Sequence, residues 1–141
     1  MTETAIRQVL AGYQAAVLAK DVDAFVALYA DDALIFELWA RWTHDLASWR
    51  EMAAGWFAFL GDGRSIVEAS DVRVTVSGDM ALLTATLTYR GIDADGNEQR
   101  SLDNRLSWVL RQRDGRWQVL HEHTSVPIAH EDGKGLFKRP A

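Results

Sequence analysis

The stretch VRVTVSGDMALLTATLTY, residues 72–89, decides the fold class. Val72, Val74 and Val76 alternate with Arg73 and Thr75. After the turn Ser77-Gly78-Asp79, Ala81, Leu83, Ala85, Leu87 and Tyr89 alternate with Leu82, Thr84, Thr86 and Thr88. A period of two sends successive side chains to opposite faces of a strand, and a glycine-bearing turn between two such runs makes an antiparallel hairpin. Downstream the same pattern continues. A loop at 93–97 holds Asp95-Gly96, strand-like text covers 98–113, Asp114-Gly115 marks a tight turn, and a last strand over 117–126 is closed by Pro127.

Upstream the period changes. Ile6, Val9, Leu10, Tyr13, Ala16 and Val17 recur at intervals of three and four, which predicts an amphipathic helix over 3–19. Asp21 caps a second helix carrying Val22, Phe25, Val26 and Tyr29, which Asp31-Asp32 ends. Residues 33–38 form a short strand, followed by Trp39-Ala40-Arg41-Trp42. A third helix carries Trp49, Met52, Ala53, Trp56, Phe57 and Leu60. Its start is either Asp45 or Ser48, the latter with the capping-box spacing to Glu51, and Gly61-Asp62-Gly63 stops it.

Composition narrows the function classes. The 141 residues, 48% of them hydrophobic, fit one domain with a full core. We take residues 1–128 as that domain and 129–141 as a polar C-terminal tail lying over the surface. With no cysteine, thiolate nucleophiles, disulfides and Cys-type zinc sites are excluded. The net charge of −5 and the absence of a basic tract, apart from Lys134 with Lys138-Arg139, argue against nucleic acid. No apolar run reaches a membrane span, and the N-terminus lacks the zones of a signal peptide, so a cytoplasmic location is expected. Dinucleotide, P-loop, nucleophile-elbow and zincin motifs are absent from the sequence.

Three helices followed by long antiparallel strands describe an α+β domain in which helices cover one face of a strongly curved sheet. Such a cone leaves an apolar hollow suited to a small ligand. The candidate chemistry is distributed along the chain. Tyr13 on the helical stripe is either a core aromatic or a phenol donor into the hollow. Glu37 sits among Ile35, Phe36, Leu38 and Trp39 and is either a strand-end carboxylate paired with Arg41 or solvent, or a buried one whose raised pKa makes it a proton acceptor near neutrality. Asp103 and Arg105, two apart, share a strand face, as a surface pair or a cavity pair. His121 and His123 flank Glu122 and share a face. They could chelate only with a third ligand that nothing in the sequence supplies, so no metal is expected. Among six tryptophans, Trp39 and Trp56 are taken as cavity walls.

Two segments carry a family resemblance. YQAAVLAKDVDAFVALYADDA, residues 13–33, resembles the opening of the NTF2-like (cystatin-like) superfamily, most closely its ketosteroid isomerase and SnoaL-like branches. RDGRWQVLHEHTSVP, residues 113–127, resembles the closing hairpin of SnoaL-like proteins and of the association domain of calmodulin-dependent kinases. The resemblance implies a cone of three N-terminal helices on a curved, mostly antiparallel sheet. Laid on this chain, the ketosteroid isomerase pattern implies Tyr13 as oxyanion donor, Glu37 as carboxylate base in place of the family's aspartate, and Asp103 as a neutral second donor, the logic of a well-known acid–base assignment. Arg105, beside Asp103, would hold that carboxyl ionised.

The last hairpin leaves a register question. A two-residue loop at Asp114-Gly115 pairs Arg113 with Arg116 and puts Asp103 and Arg105 on a face with Glu122 and Thr124. A three-residue loop with glycine in the left-handed position pairs Gln112 with Arg116. It groups Asp103, Arg105 and Ser107 with Val119, His121 and His123. The three-residue loop is the reading adopted, with the facing of the group left open.

These readings converge on a ketosteroid isomerase-like or SnoaL-like protein. It would act on a small hydrophobic carbonyl compound without a cofactor, Arg105, His121 and His123 orienting the ligand, and would form a homodimer through the outer sheet face. The alternative is a non-catalytic ligand-binding or assembly module.

Overall fold

The computed structural model describes residues 2–140. Helix α1 (Thr2–Ala19) buries Ile6, Leu10, Tyr13, Ala16 and Val17, the stripe predicted from spacing. Helix α2 (Val22–Ala27) starts at Asp21, whose carboxylate accepts the Ala24 N–H at 3.0 Å. Helix α3 (Leu46–Leu60) is capped by Asp45, which accepts the Ser48 N–H at 2.9 Å, so Asp45 rather than Ser48 begins it.

Strand β1 (Tyr29–Phe36) starts four residues earlier than predicted. Tyr29 keeps helical spacing with Phe25 and Val26 but already pairs with Val119, and Asp31-Asp32 lies inside the strand instead of ending the helix. Strands β2 (Arg64–Ser77), β3 (Met80–Ile92), β4 (Glu98–Arg113) and β5 (Arg116–Ser125) complete one sheet in the order β1-β5-β4-β3-β2. Only the β1–β5 pair is parallel.

The helices cover one face. Their buried side chains meet Leu83, Leu87, Leu106, Trp108, Leu110 and Val119 from the sheet. Aromatic rings link the layers: Tyr13 lies 5.3 Å from Phe25 and 5.9 Å, edge-on, from Trp108. Edge-to-face pairs of this kind add about 0.5–1.5 kcal/mol beyond burial.

Bulges decide which residues face inward. The last hairpin uses the two-residue loop, with Asp114 and Gly115 at φ 54° and 74° and Arg113 paired with Arg116. Two positive φ values give the turn that matches strand twist, which corrects the three-residue reading. Yet Val109 pairs with His121 and Leu110 with Val119, so Leu120 is an extra residue. Before it Trp117 and Val119 are buried; after it Glu122 and Thr124 are. The bulge therefore groups Asp103, Arg105, Ser107, His121 and His123, without Val119, on the outer face.

The α3–β2 connection is tight. A Cβ on Gly63 would lie 2.5 Å from the Ile92 carbonyl oxygen and 3.1 Å from that of Leu60, both backbone atoms. Gly63→Ala is expected to cost about 1–3 kcal/mol through overpacking, read as a lower urea midpoint at unchanged slope.

The tail docks by an apolar ring as well as by charges. Beyond Arg105, where β5 ends, the Asp103 N–H donates to the Phe137 carbonyl at 2.7 Å. The Phe137 ring stacks on Trp39 with centroids 5.4 Å apart and planes 7° apart. Arg139 donates to Asp71, Ser70 and, through its backbone N–H, Asp103.

Candidate functional site

A cavity of about 790 Å³ opens between α1, α3 and the inner face of the sheet. Tyr13 enters from α1, Trp49, Met52 and Trp56 from α3, Glu37 and Trp39 from the segment after β1, and Tyr89, Asn104, Glu122 and Thr124 from the strands. The volume suits a drug-sized or smaller ligand.

Glu37 emerges as β1 ends. Burial, and then the charge of Glu122, raise its pKa from 4.5 to about 7. His44, whose side chain is 3% exposed, places Nε2 3.3 Å from Glu37 Oε1 and Nδ1 3.0 Å from Ser48 Oγ. Ser48 Oγ donates to the Asp45 carbonyl, so it accepts from His44 Nδ1–H and leaves Nε2 as the acceptor. An acceptor at Nε2 matches a protonated Glu37. Burial, and then Arg41, lower the His44 pKa, which keeps the ring neutral at neutral pH.

Tyr13 Oη lies 2.7 Å from Tyr89 Oη. Burial is the main reason both phenols stay protonated, their pKa values raised. One hydroxyl hydrogen lies between the two oxygens; the other is free to reach a ligand oxygen.

Glu122 is the residue that the sequence reading missed. It is 2% exposed, and its Oε1 accepts from Tyr29 Oη at 2.5 Å and Trp108 Nε1 at 2.8 Å. Burial raises its pKa, and the two donors oppose that rise. Flanked by two histidines on a strand of uncertain register, it carried no signal. A Tyr–Trp–Glu triad is visible only in three dimensions.

Of the residues singled out in the sequence, Tyr13, Glu37, Trp39 and Trp56 line this cavity. Asp103, Arg105, His121 and His123 do not, because the β5 bulge and the β4 alternation turn them outward. Asp103 accepts from Thr88 Oγ1 at 2.7 Å and the Arg139 N–H at 2.8 Å, which with the nearby positive charges of Lys138 and Arg139 hold its pKa below the ordinary value. It is thus an outer-face carboxylate, not a neutral donor in the hollow. Arg105 donates to Ser125 Oγ, and His121 lies 2.6 Å from the Leu34 carbonyl. Among the described residues, no three His, Asp or Glu side chains converge on a metal-sized point. No helix of the described chain is long and apolar enough to cross a membrane.

Cone, helices and interior carboxyl groups define an NTF2-like domain with a ligand-sized hollow. The chain belongs to the SnoaL-like domain family, whose model matches residues 6–129. It is similar in structure to an NTF2-like protein of unknown function from Pseudomonas putida, at 27% identity and TM-score 0.86, over 99% of this chain and 96% of that one. A cystatin-like-fold protein of unknown function from Nostoc punctiforme matches at 18% identity and TM-score 0.68, over 89% and 90%. Aln2 from a Streptomyces species matches at 11% identity and TM-score 0.77, over 87% and 88%. No curated protein matches the sequence.

Proposed function

We propose that the protein is a cofactor-independent acid–base enzyme of the isomerase, dehydratase or cyclase type, acting on a small hydrophobic carbonyl compound. The observation that carries this reading is Glu37, a carboxyl with a pKa of about 7 facing an aromatic hollow that also holds the Tyr13–Tyr89 pair. A base poised near the working pH combines a useful ionised fraction with a strong pull on the proton. Glu37 would take a proton from the carbon next to the carbonyl. The C–H electron pair then moves onto the carbonyl oxygen as an enolate. The free hydroxyl hydrogen of the tyrosine pair would bond that oxygen more strongly as its charge grows. His44 Nε2 would accept the hydrogen that Glu37 acquires.

The test is deuterium exchange into 4-phenyl-2-butanone in buffered D₂O at pD 7.5, followed by NMR. Wild type should exchange the protons beside the carbonyl faster than buffer, and Glu37→Gln should not. Equal rates for wild type and buffer would refute the enzyme reading. The binding-module reading in which Arg105 and the histidines hold an anion inside the hollow has no support, since those groups face outward.

A further inference from the structure

The polarity of the hollow is one-sided. Both protein bonds to Glu122 end on Oε1, and Oε2 receives none from the described residues, although the side chain is buried and lines the cavity. Trp108 Nε1 can only donate, so Oε1 is committed as an acceptor. Further along the wall the Asn104 Oδ1, also buried, has no partner. The orphaned donor, Trp49 Nε1, belongs to a ring packed edge-on against that of Tyr29, with centroids 6.0 Å apart. The ionisable lining consists of Glu37, Asp62, Asp93 and Glu122 with Arg100 as the lone cation, apart from the weakly acidic phenols of Tyr13 and Tyr89. Asp93 is spent on its own loop, accepting the Asp95 and Asn97 N–H groups and Gln99 Nε2. Around the two glutamates stand the rings of Tyr13, Trp39, Trp49, Trp56 and Tyr89.

A neutral apolar ligand that filled this space would strip water from Glu122 Oε2 and leave that oxygen without a donor, or would force the carboxyl to take up a proton. Leaving a buried carboxylate oxygen without a donor is destabilising. An ammonium group avoids both outcomes. It supplies the missing donor, neutralises the charge, and is attracted by the faces of aromatic rings.

We propose that the ligand of this cavity is a hydrophobic amine, bound as its ammonium form with an N–H donated to Glu122 Oε2 and its apolar body against the tryptophans. The proposal rests on the preceding reading for the location of the ligand, and it narrows the substrate to a carbonyl compound bearing a basic nitrogen. The ammonium sits at Glu122 on the β5 wall of the hollow. The tyrosine pair remains for the carbonyl oxygen, and Asn104 Oδ1 is a further acceptor for an N–H. Glu122 on this account is a specificity-determining residue.

The experiment is calorimetric titration at pH 7.5 with 4-phenylbutylamine, 4-phenylbutan-1-ol and 4-phenyl-2-butanone, which share an apolar body and differ in the head group. The amine is expected to bind at least about tenfold more tightly than the alcohol, a difference of about 1.4 kcal/mol. That preference should survive 0.5 M NaCl, which screens the general negative charge of the protein. Glu122→Gln should abolish the preference while leaving alcohol binding in place. If Glu122→Gln does not fold, Glu37→Gln should keep the preference for the amine, and its loss there would assign the ammonium to Glu37 and overturn the inference. An alcohol or ketone that binds as tightly as the amine overturns the inference. If ketone exchange still depends on Glu37, the acid–base reading survives that failure. Amine preference without ketone exchange leaves the inference standing and removes the enzyme reading. Failure of all three probes to bind at millimolar concentration overturns both.

Discussion

Glu37→Gln is expected to abolish proton transfer and, at pH 8, to make the fold more stable. Loss of a positioned general base typically lowers the rate by about 10²–10⁴-fold. The stability effect follows from linkage. In the unfolded chain Glu37 ionises with its ordinary pKa of 4.5; in the fold, burial and Glu122 hold it at about 7. Between these values the folded state binds the extra proton, so stability falls as pH rises from about 4.5 to 7 and is level above. The full cost of ionising it in place is about 3 kcal/mol. Glutamine carries no charge to bury. The variant should gain roughly 1–3 kcal/mol over wild type at pH 8 and nothing at pH 4, a melting-temperature rise of about 3–10 °C at the higher pH only. Thermal unfolding at the two pH values decides this. A variant no more stable at pH 8 would show that the fold does not raise the pKa of Glu37.

Trp108→Ala should be the most destabilising single substitution in the sheet. Trp108 is fully buried in β4, packs edge-on against Tyr13, and donates its N–H to Glu122. Removing a buried Trp side chain costs about 3–5 kcal/mol, and a buried carboxyl that loses a donor adds about 1–3 kcal/mol. Together these costs equal much of the roughly 5–15 kcal/mol that holds an ordinary domain folded. Trp108→Phe separates the two effects, because it keeps most of the ring volume and deletes only the N–H. Its cost should be about 1.5–3 kcal/mol and larger at pH 8 than at pH 5, since the donor stabilises the ionised form of Glu122. A pH-independent cost would mean that Glu122 does not change its protonation between pH 5 and pH 8.

The alternation of residues 81–89 and the apolar stripe of α1 made the architecture legible, because local periodicity and global burial agree there. Glu37 was half legible: its apolar neighbours point to burial, but a residue at a strand end can equally turn to Arg41 or to solvent, and only the fold closes over it. Tyr29 was ambiguous. Its spacing fits a helix and its burial fits a strand, and only pairing with Val119 settles it. The far end of β5 was not legible. Nothing in WQVLHEHTS marks Leu120 as the residue that bulges, and without that the histidines and Glu122 exchange sides. The facing of Asp103 was not legible, since sequence does not reveal that Thr88 and the tail backbone at Arg139 would claim its oxygens.

Leu120 also bears on how related chains are to be compared. It is the surplus residue of its ladder, so a relative one codon shorter at this point would run from Val119 straight to His121 and still aim Glu122 at the ligand. The gap in such an alignment belongs at position 120. Set two residues later, it would leave Glu122 opposite the gap and match the relative's acid with the outward-facing His121, and a shared interior acid would be mistaken for a lost one.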